Sequence, residues 1–63
     1  MKLRDFLKLY DDRNSILVIN DDDLNCLCYG DFWNVKISDF EDREVVAFWF
    51  YDNELYVRVR ESK

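Results

Sequence analysis

The sequence predicts a small α+β domain in which an N-terminal amphipathic helix packs on a mostly antiparallel four-stranded sheet, in the order α-β-β-short α-β-β. Three observations predict this class: a helical spacing of apolar residues near the start, four runs rich in β-branched or aromatic residues, and acidic turn-forming segments between them. We expect residues 1–63 to form a single domain, because 63 residues can bury only one modest core.

Residues 2–11, "KLRDFLKLYD", have the spacing of an amphipathic helix. The apolar side chains follow the pattern i, i+3, i+4, i+7 and form one stripe, made by Leu3, Phe6, Leu7 and Tyr10. Residues 11–15, "DDRNS", are poor helix formers and are expected to end the helix.

Two strands and a turn are predicted next. The run at residues 15–20, "SILVIN", predicts a strand whose continuous apolar character indicates cover on both faces. The Asp-rich residues 21–25 predict a turn. Residues 26–37, "CLCYGDFWNVKI", predict a second strand that is bent or bulged at Gly30, the only glycine in the chain.

Residues 38–41, "SDFE", fit a capping box, in which Ser38 accepts a backbone hydrogen bond and Glu41 reaches back to the helix start. We therefore expect one or two turns of helix, or a tight turn, over residues 38–43. Two further strands follow at about residues 44–51 and 55–60, and Asp52 and Asn53 join them as a hairpin.

A two-residue turn at this point fixes which residues of the last hairpin share a face. One face is wholly apolar and is expected to meet the helix stripe; it carries Val46, Phe48, Phe50, Leu55, Val57 and Val59. The opposite face carries Ala47, Trp49, Tyr51, Tyr56, Arg58 and Arg60.

This second face combines aromatic rings with arginine, the residue types that are enriched at binding hot spots. The sequence therefore predicts a partner-binding surface made by Trp49, Tyr51, Tyr56, Arg58 and Arg60. Two alternatives stay open: Phe32 or Trp33 from the second strand covers this face, or a second copy of the chain does.

The charge balance argues against direct binding of nucleic acid. There are 14 acidic and nine basic side chains, with a net charge of -5, whereas phosphate contacts need clustered Lys and Arg. The balance favours a soluble protein, or one with a basic partner. A second candidate surface is the acidic group Asp21, Asp22, Asp23 and Asp31, which we expect to gather with Asp11 and Asp12 at one end of the sheet.

The composition does not predict an enzyme, a metal site or a cofactor. Histidine is absent, and one glycine cannot make a phosphate-binding loop. Asp21, Asp23 and Asn25 are spaced like the first ligands of a calcium loop, but Cys26 stands where that loop needs Gly.

Cys26 and Cys28 are expected to be reduced thiols that form a small buried apolar pair. No segment resembles a signal peptide or a membrane span, so the predicted location is the cytoplasm of whatever cell makes the protein, without a membrane partner.

Four segments of the chain resemble those of short accessory proteins that are common in prophages and in gut bacteria of the Firmicutes type. They are "LRDFLKLYDD" (residues 3–12), "VINDDD" (18–23), "CYGDF" (28–32) and "DREV" (42–45). The resemblance implies a phage or mobile-element origin and a small accessory role. Small acidic phage proteins often bind a host protein, and anti-CRISPR inhibitors are the best-known example.

We therefore expect a non-enzymatic protein-binding module that inhibits a host nucleic-acid-handling or CRISPR-type defence protein. The alternative is a homo-oligomeric structural or assembly protein that uses the aromatic face of the sheet.

Overall fold

The structure is a computed structural model that describes residues 1–10, 14–32 and 35–60. The described elements are one short helix and four strands: α1 (Leu3–Leu9), β1 (Ile16–Asn20), β2 (Cys26–Asp31), β3 (Val45–Tyr51) and β4 (Glu54–Val59). The strands form one sheet in the order β2-β1-β4-β3. The α+β class is confirmed.

The sheet is mixed: two of its three pairings are antiparallel, as a mostly antiparallel sheet requires, and the sequence did not predict the parallel one. Two antiparallel hairpins, β1–β2 and β3–β4, join through a central parallel pairing of β1 with β4. The continuous apolar run of β1 explains its central place, because Leu17, Val18 and Ile19 are all buried and need neighbours on both faces and both edges.

Helix α1 packs on one face of the sheet through the predicted stripe. Leu3 and Leu7 are buried in the core, and Phe6 and Tyr10 pack against it in part. The helix has seven residues, so it spans only about 10 Å. It is therefore too short to cover the whole face of a four-stranded sheet.

Of the two alternatives predicted for residues 38–43, the helix is not present, and the segment forms consecutive turns. The backbone N–H of Phe40 donates to Ile37, and that of Arg43 donates to Phe40. The segment also serves α1: the backbone N–H groups of Leu3 and Arg4 donate to the carbonyls of Arg43 (2.9 Å) and Glu41 (3.0 Å). These carbonyls cap the first turn of α1, which would otherwise leave unsatisfied donors.

The second strand is shorter than predicted and is not bulged at Gly30. β2 ends at Asp31, and Gly30 pairs regularly with Leu17; the irregularity lies between Ile19 and Asn20. Gly30 has a φ of +157°, and a Cβ added there would lie 3.3 Å from a methyl group of Val35. The glycine thus lets the chain after β2 fold back closely over the sheet.

Candidate protein-interaction site

The turn that joins β3 and β4 fixes the register of the aromatic hairpin. Asp52 and Asn53 have positive φ angles of 53° and 62°, as a two-residue type I′ turn requires. The predicted pairing is confirmed from Tyr51 with Glu54 back to Ala47 with Arg58. It fails beyond that point, because the register shifts between residues 45 and 47, and Val59 pairs with Val45 instead of Val46.

A row of side chains crosses the open face of the sheet, opposite α1. Val18 pairs with Tyr29 on one side and with Tyr56 on the other, and Tyr56 pairs with Trp49. Directly paired residues point to the same face, so these four side chains form one line across all four strands. We call this line the aromatic row.

At the Trp49 end of the aromatic row, three side chains pack against one another. The indole of Trp49 stacks on the ring of Tyr56, with centroids 5.4 Å apart and planes 3° from parallel. The guanidinium carbon of Arg58 lies 5.5 Å from the centroid of the Trp49 ring, in cation–π range. Three of the five predicted contact residues are therefore brought together.

Glu54 links the two tyrosines of the row, and sequence reasoning missed both Glu54 and Tyr29. Its carboxylate accepts hydrogen bonds from the hydroxyl of Tyr29 (3.1 Å) and from that of Tyr56. The bond to Glu54 raises the pKa of Tyr56 to about 12, and the same carboxylate raises the pKa of Tyr29. Tyr29 could be found only from the parallel pairing, which carries no local sequence signal.

The other two predicted contact residues lie further out. Tyr51 is 70% exposed at the turn end of β3, two residues along the strand from Trp49. Arg60 follows β4, and its backbone N–H donates to the carbonyl of Glu44 at 2.8 Å. Phe32 does not cover the open face, because it is buried in the core on the α1 side and stacks on Tyr10. Trp33 lies outside the described residues.

The apolar face of the hairpin is not wholly buried by α1, which corrects the prediction. On β4, Leu55, Val57 and Val59 are buried, but on β3 Phe48 and Phe50 remain 60% and 52% exposed. The helix is short, and β3 is the edge strand, so α1 reaches β3 mainly through the contact of Phe6 with Phe48, at 4.8 Å between ring centroids. β3 therefore exposes aromatic rings on both of its faces.

An apolar concavity lies between α1 and β3. Its volume is about 390 Å³, and its lining includes Phe6, Leu9, Phe48, Phe50 and Leu55. Leu9 is 71% exposed at its rim. The exposed rings of β3 thus continue into a recess on the helix side of the sheet.

Comparisons with protein-family models, with curated proteins and with solved structures found no match to this chain. Function is therefore inferred from the surface chemistry of the molecule.

The predicted acidic group does not form one patch. Asp31 pairs with Ile16 at the opposite end of β1 from the loop that contains Asp21, Asp22 and Asp23. Asp11 and Asp12 lie outside the described residues.

Within the acidic loop, the Asp21 carboxylate is hydrogen-bonded to the backbone of its own loop. It accepts hydrogen bonds from the backbone N–H groups of Asp23 and Asn25, each at 2.9 Å. These bonds, above all the one from Asn25, lower the pKa of Asp21. The geometry is that of an Asx turn, in which the carboxylate organises the loop.

The two cysteines are free thiols, but they are not the buried pair that was predicted. Cys26 is exposed, whereas Cys28 is half-buried and packs against the core. Burial raises the pKa of the Cys28 thiol. No group of three or more Cys, Asp or Glu within residues 1–10, 14–32 and 35–60 is arranged to hold a metal ion. In the same residues, no helix has the length and apolar character needed to cross a membrane.

Proposed function

We propose that this protein is a small non-enzymatic protein-binding module and that β3 is the centre of its binding surface. One observation carries the proposal: an edge strand without any charged side chain exposes aromatic rings on both faces. Proteins usually protect such edges with Lys, Pro or a covering segment, so an uncovered one suits a strand that meets a partner.

The composition and order of this surface support a role in recognition. Trp, Tyr and Arg dominate binding hot spots, and Trp49, Tyr56 and Arg58 stand together on the open face. The stack and the guanidinium hold the indole in one orientation before a partner arrives. Binding then costs less side-chain entropy than it would for a mobile ring.

The partner that we propose from the prophage resemblance is a host protein, such as a nucleic-acid-handling or CRISPR-type defence protein that the chain inhibits. A net charge of -5 favours a partner with a basic surface. Two surfaces compete for this role, the aromatic row with β3 and the exposed carboxylates of Asp22 and Asp23. They differ in their dependence on salt, because exposed charge pairs are screened and apolar contacts are not.

The test is affinity capture from a lysate of the encoding organism, followed by binding measurements on the purified partner. We expect Trp49→Ala to weaken binding at least about tenfold, as for a hot-spot residue. The matched control is the double variant Asp22→Asn, Asp23→Asn, which should leave binding within a factor of about three. Binding that falls steeply with salt and is lost only in the Asp variants would contradict β3 as the centre.

A homo-oligomeric structural or assembly role is the second candidate function. It is favoured by the uncharged sequence of β3, "VVAFWFY", which carries nothing that repels a second copy of itself.

A further inference from the structure

We infer that β3 pairs edge-to-edge with β3 of a second copy of this chain, antiparallel about a twofold axis beside Trp49. The two four-stranded sheets then become one continuous sheet. This inference rests on the second candidate function, the homo-oligomeric role, because it names a second copy of the chain as the partner that meets β3.

Part of the outer edge of β3 is free, and part is already covered. At its start, Lys2 bridges to Glu44, and the backbone N–H of Val45 donates to the carbonyl of Met1 at 2.8 Å. No strand among the described residues pairs with the outer edge over residues 47–51. A partner strand therefore has this stretch available.

The backbone groups of β3 point alternately toward β4 and toward the free edge. In a two-residue hairpin the residues that flank the turn exchange hydrogen bonds, and such pairs alternate along the ladder. Tyr51, Trp49 and Ala47 therefore bond to β4. The N–H and C=O groups of Phe48 and Phe50 consequently point outward, away from β4.

The free edge of β3 is complementary to the same edge of a second copy. When residues 47–51 are placed antiparallel to their own copy, Phe48 lies opposite Phe50 of the second copy, and Phe50 lies opposite its Phe48. Each of these two pairs can exchange both backbone hydrogen bonds. Trp49 then faces its own copy at the axis, and the small Ala47 lies opposite the large Tyr51. Closed twofold pairing of this kind is the commonest arrangement of homo-oligomers.

Edge-to-edge pairing contacts the exposed rings on both faces of β3. An occupant that docks on one face of the sheet covers either Phe48 and Phe50 or Trp49 and Tyr51, but not both sets. A strand added at the edge contacts both sets at once. The twofold axis is perpendicular to the sheet, so both α1 helices lie on one side, and the exposed Leu9 of each helix borders the four Phe rings.

The exposed surface along β3 sets the size of this interface. The four exposed rings, Phe48, Trp49, Phe50 and Tyr51, are 38–70% exposed, which amounts to roughly 450 Å² at about 150–250 Å² for each whole side chain. With the free backbone edge and Leu9, the upper bound is roughly 600 Å² per partner, at the low end of the roughly 600–1,000 Å² that specific interfaces bury, so we expect a weak dimer that forms at high protein concentration. The dimer leaves Tyr29 on the open face uncovered, so another protein can still bind there.

The test places like and unlike charges at the proposed axis. We expect the wild-type chain to sediment as a dimer, whereas Trp49→Lys and Trp49→Glu are each monomeric because two like charges face one another. An equimolar mixture of the two variants should restore a dimer, with a dissociation constant at least about tenfold lower than that of either variant alone. The matched control is Tyr29→Lys, a more exposed position (62% against 38% for Trp49) on the same face but on the other edge strand; it should remain dimeric.

A second variant tests the pairing without a substitution at position 49, because changes there also remove the stack on Tyr56. Synthetic protein with an N-methyl group at Phe50 removes one outward N–H and leaves every side chain in place; it should be monomeric. In wild-type protein, hydrogen exchange at the Phe48 and Phe50 amides should slow at least about tenfold as the concentration rises through the dimerisation range.

The outcomes also separate this inference from the proposed function. A wild-type chain that stays monomeric at millimolar concentration overturns the inference, and so does a dimer that persists in Trp49→Lys or in the N-methyl protein. The proposed function survives either result if Trp49→Ala still weakens the binding of a different protein. It fails together with the inference if the chain is monomeric and Trp49→Ala has no effect on any captured partner.

Discussion

The indole of Trp49 and the ring of Tyr56 lie on directly paired positions of neighbouring strands, 5.4 Å apart and 3° from parallel. This stack on the open face of the sheet orders the two aromatic rings in the free chain. The contribution of the stack to stability and the ionisation of the Tyr56 hydroxyl can both be measured without a partner.

Truncation of Trp49 is expected to destabilise the monomer. Trp49→Ala removes the stack on Tyr56 and the cation–π contact of Arg58, so the free energy of unfolding should fall by about 1–2 kcal/mol. Urea denaturation at low protein concentration, followed by circular dichroism, measures this change. Tyr51→Ala, which removes a more exposed ring from the same face, is the control and should cost under about 0.5 kcal/mol. Equal losses in the two variants would show that the stack has no energetic role.

The ionisation of Tyr56 should occur near pH 12. Its hydrogen bond to the Glu54 carboxylate raises the pKa from 10.0 to about 12, since a phenolate could not donate and would be repelled. A raised folded pKa means that the stabilisation is fully present below pH 10 and is lost as the pH rises toward 12. Phenolate absorbance, assigned by carbon-13 NMR, measures the titration. Glu54→Gln should return the pKa of Tyr56 toward 10, and an unchanged titration would rule out the bond.

Replacement of Leu24 should stabilise the fold. Leu24 is exposed and has a φ of +66°, the left-handed conformation that costs a residue with a large side chain about 1–2 kcal/mol. Leu24→Asn relieves this strain, because Asn tolerates the conformation, and should raise the free energy of unfolding by about 0.5–1 kcal/mol. Asp23→Asn at the preceding position is the control, since Asp23 is not among the described residues with positive φ. A fall in the melting temperature of Leu24→Asn would contradict the account.

A side chain at Gly30 should be destabilising for two separable reasons. Gly30→Ala places a Cβ 3.3 Å from Val35 and keeps a φ of +157°, which disfavours an L-residue, so a loss of about 1–3 kcal/mol is expected. The variant Val35→Ala makes room beside residue 30 and serves as the background. If crowding dominates, Gly30→Ala costs less in that background; if the backbone angle dominates, its cost is unchanged. If Gly30→Ala does not lower the free energy of unfolding in either background, both reasons are refuted.

The features that could be predicted from the sequence are those that local geometry decides. The Asp52-Asn53 turn and the alternation of residues 47–51 set the hairpin register, and the pairing of Trp49 with Tyr56 followed from them. The stripe of α1 follows in the same way from helical spacing.

The remaining features depend on contacts between segments that are distant in the chain. The parallel pairing of β1 with β4 brings Tyr29 into the aromatic row, and no residue near Tyr29 signals it. The segment at residues 38–43 matches a capping box, but its carbonyls cap α1 instead, so a tertiary demand overrides the local pattern. The exposure of Phe48 and Phe50 likewise depends on how far α1 extends over the sheet.

The central parallel pairing also has a consequence for the kinetics of folding. Each antiparallel hairpin closes a short loop, whereas the pairing of Ile16 with Glu54 joins residues that are 38 positions apart in the chain and costs more loop-closure entropy. We therefore expect the two hairpins to form early and their docking along β1 and β4 to limit the folding rate. Mutations that weaken the packing between β1 and β4 should slow folding. Mutations on the outer edge of β3 should leave the folding rate nearly unchanged.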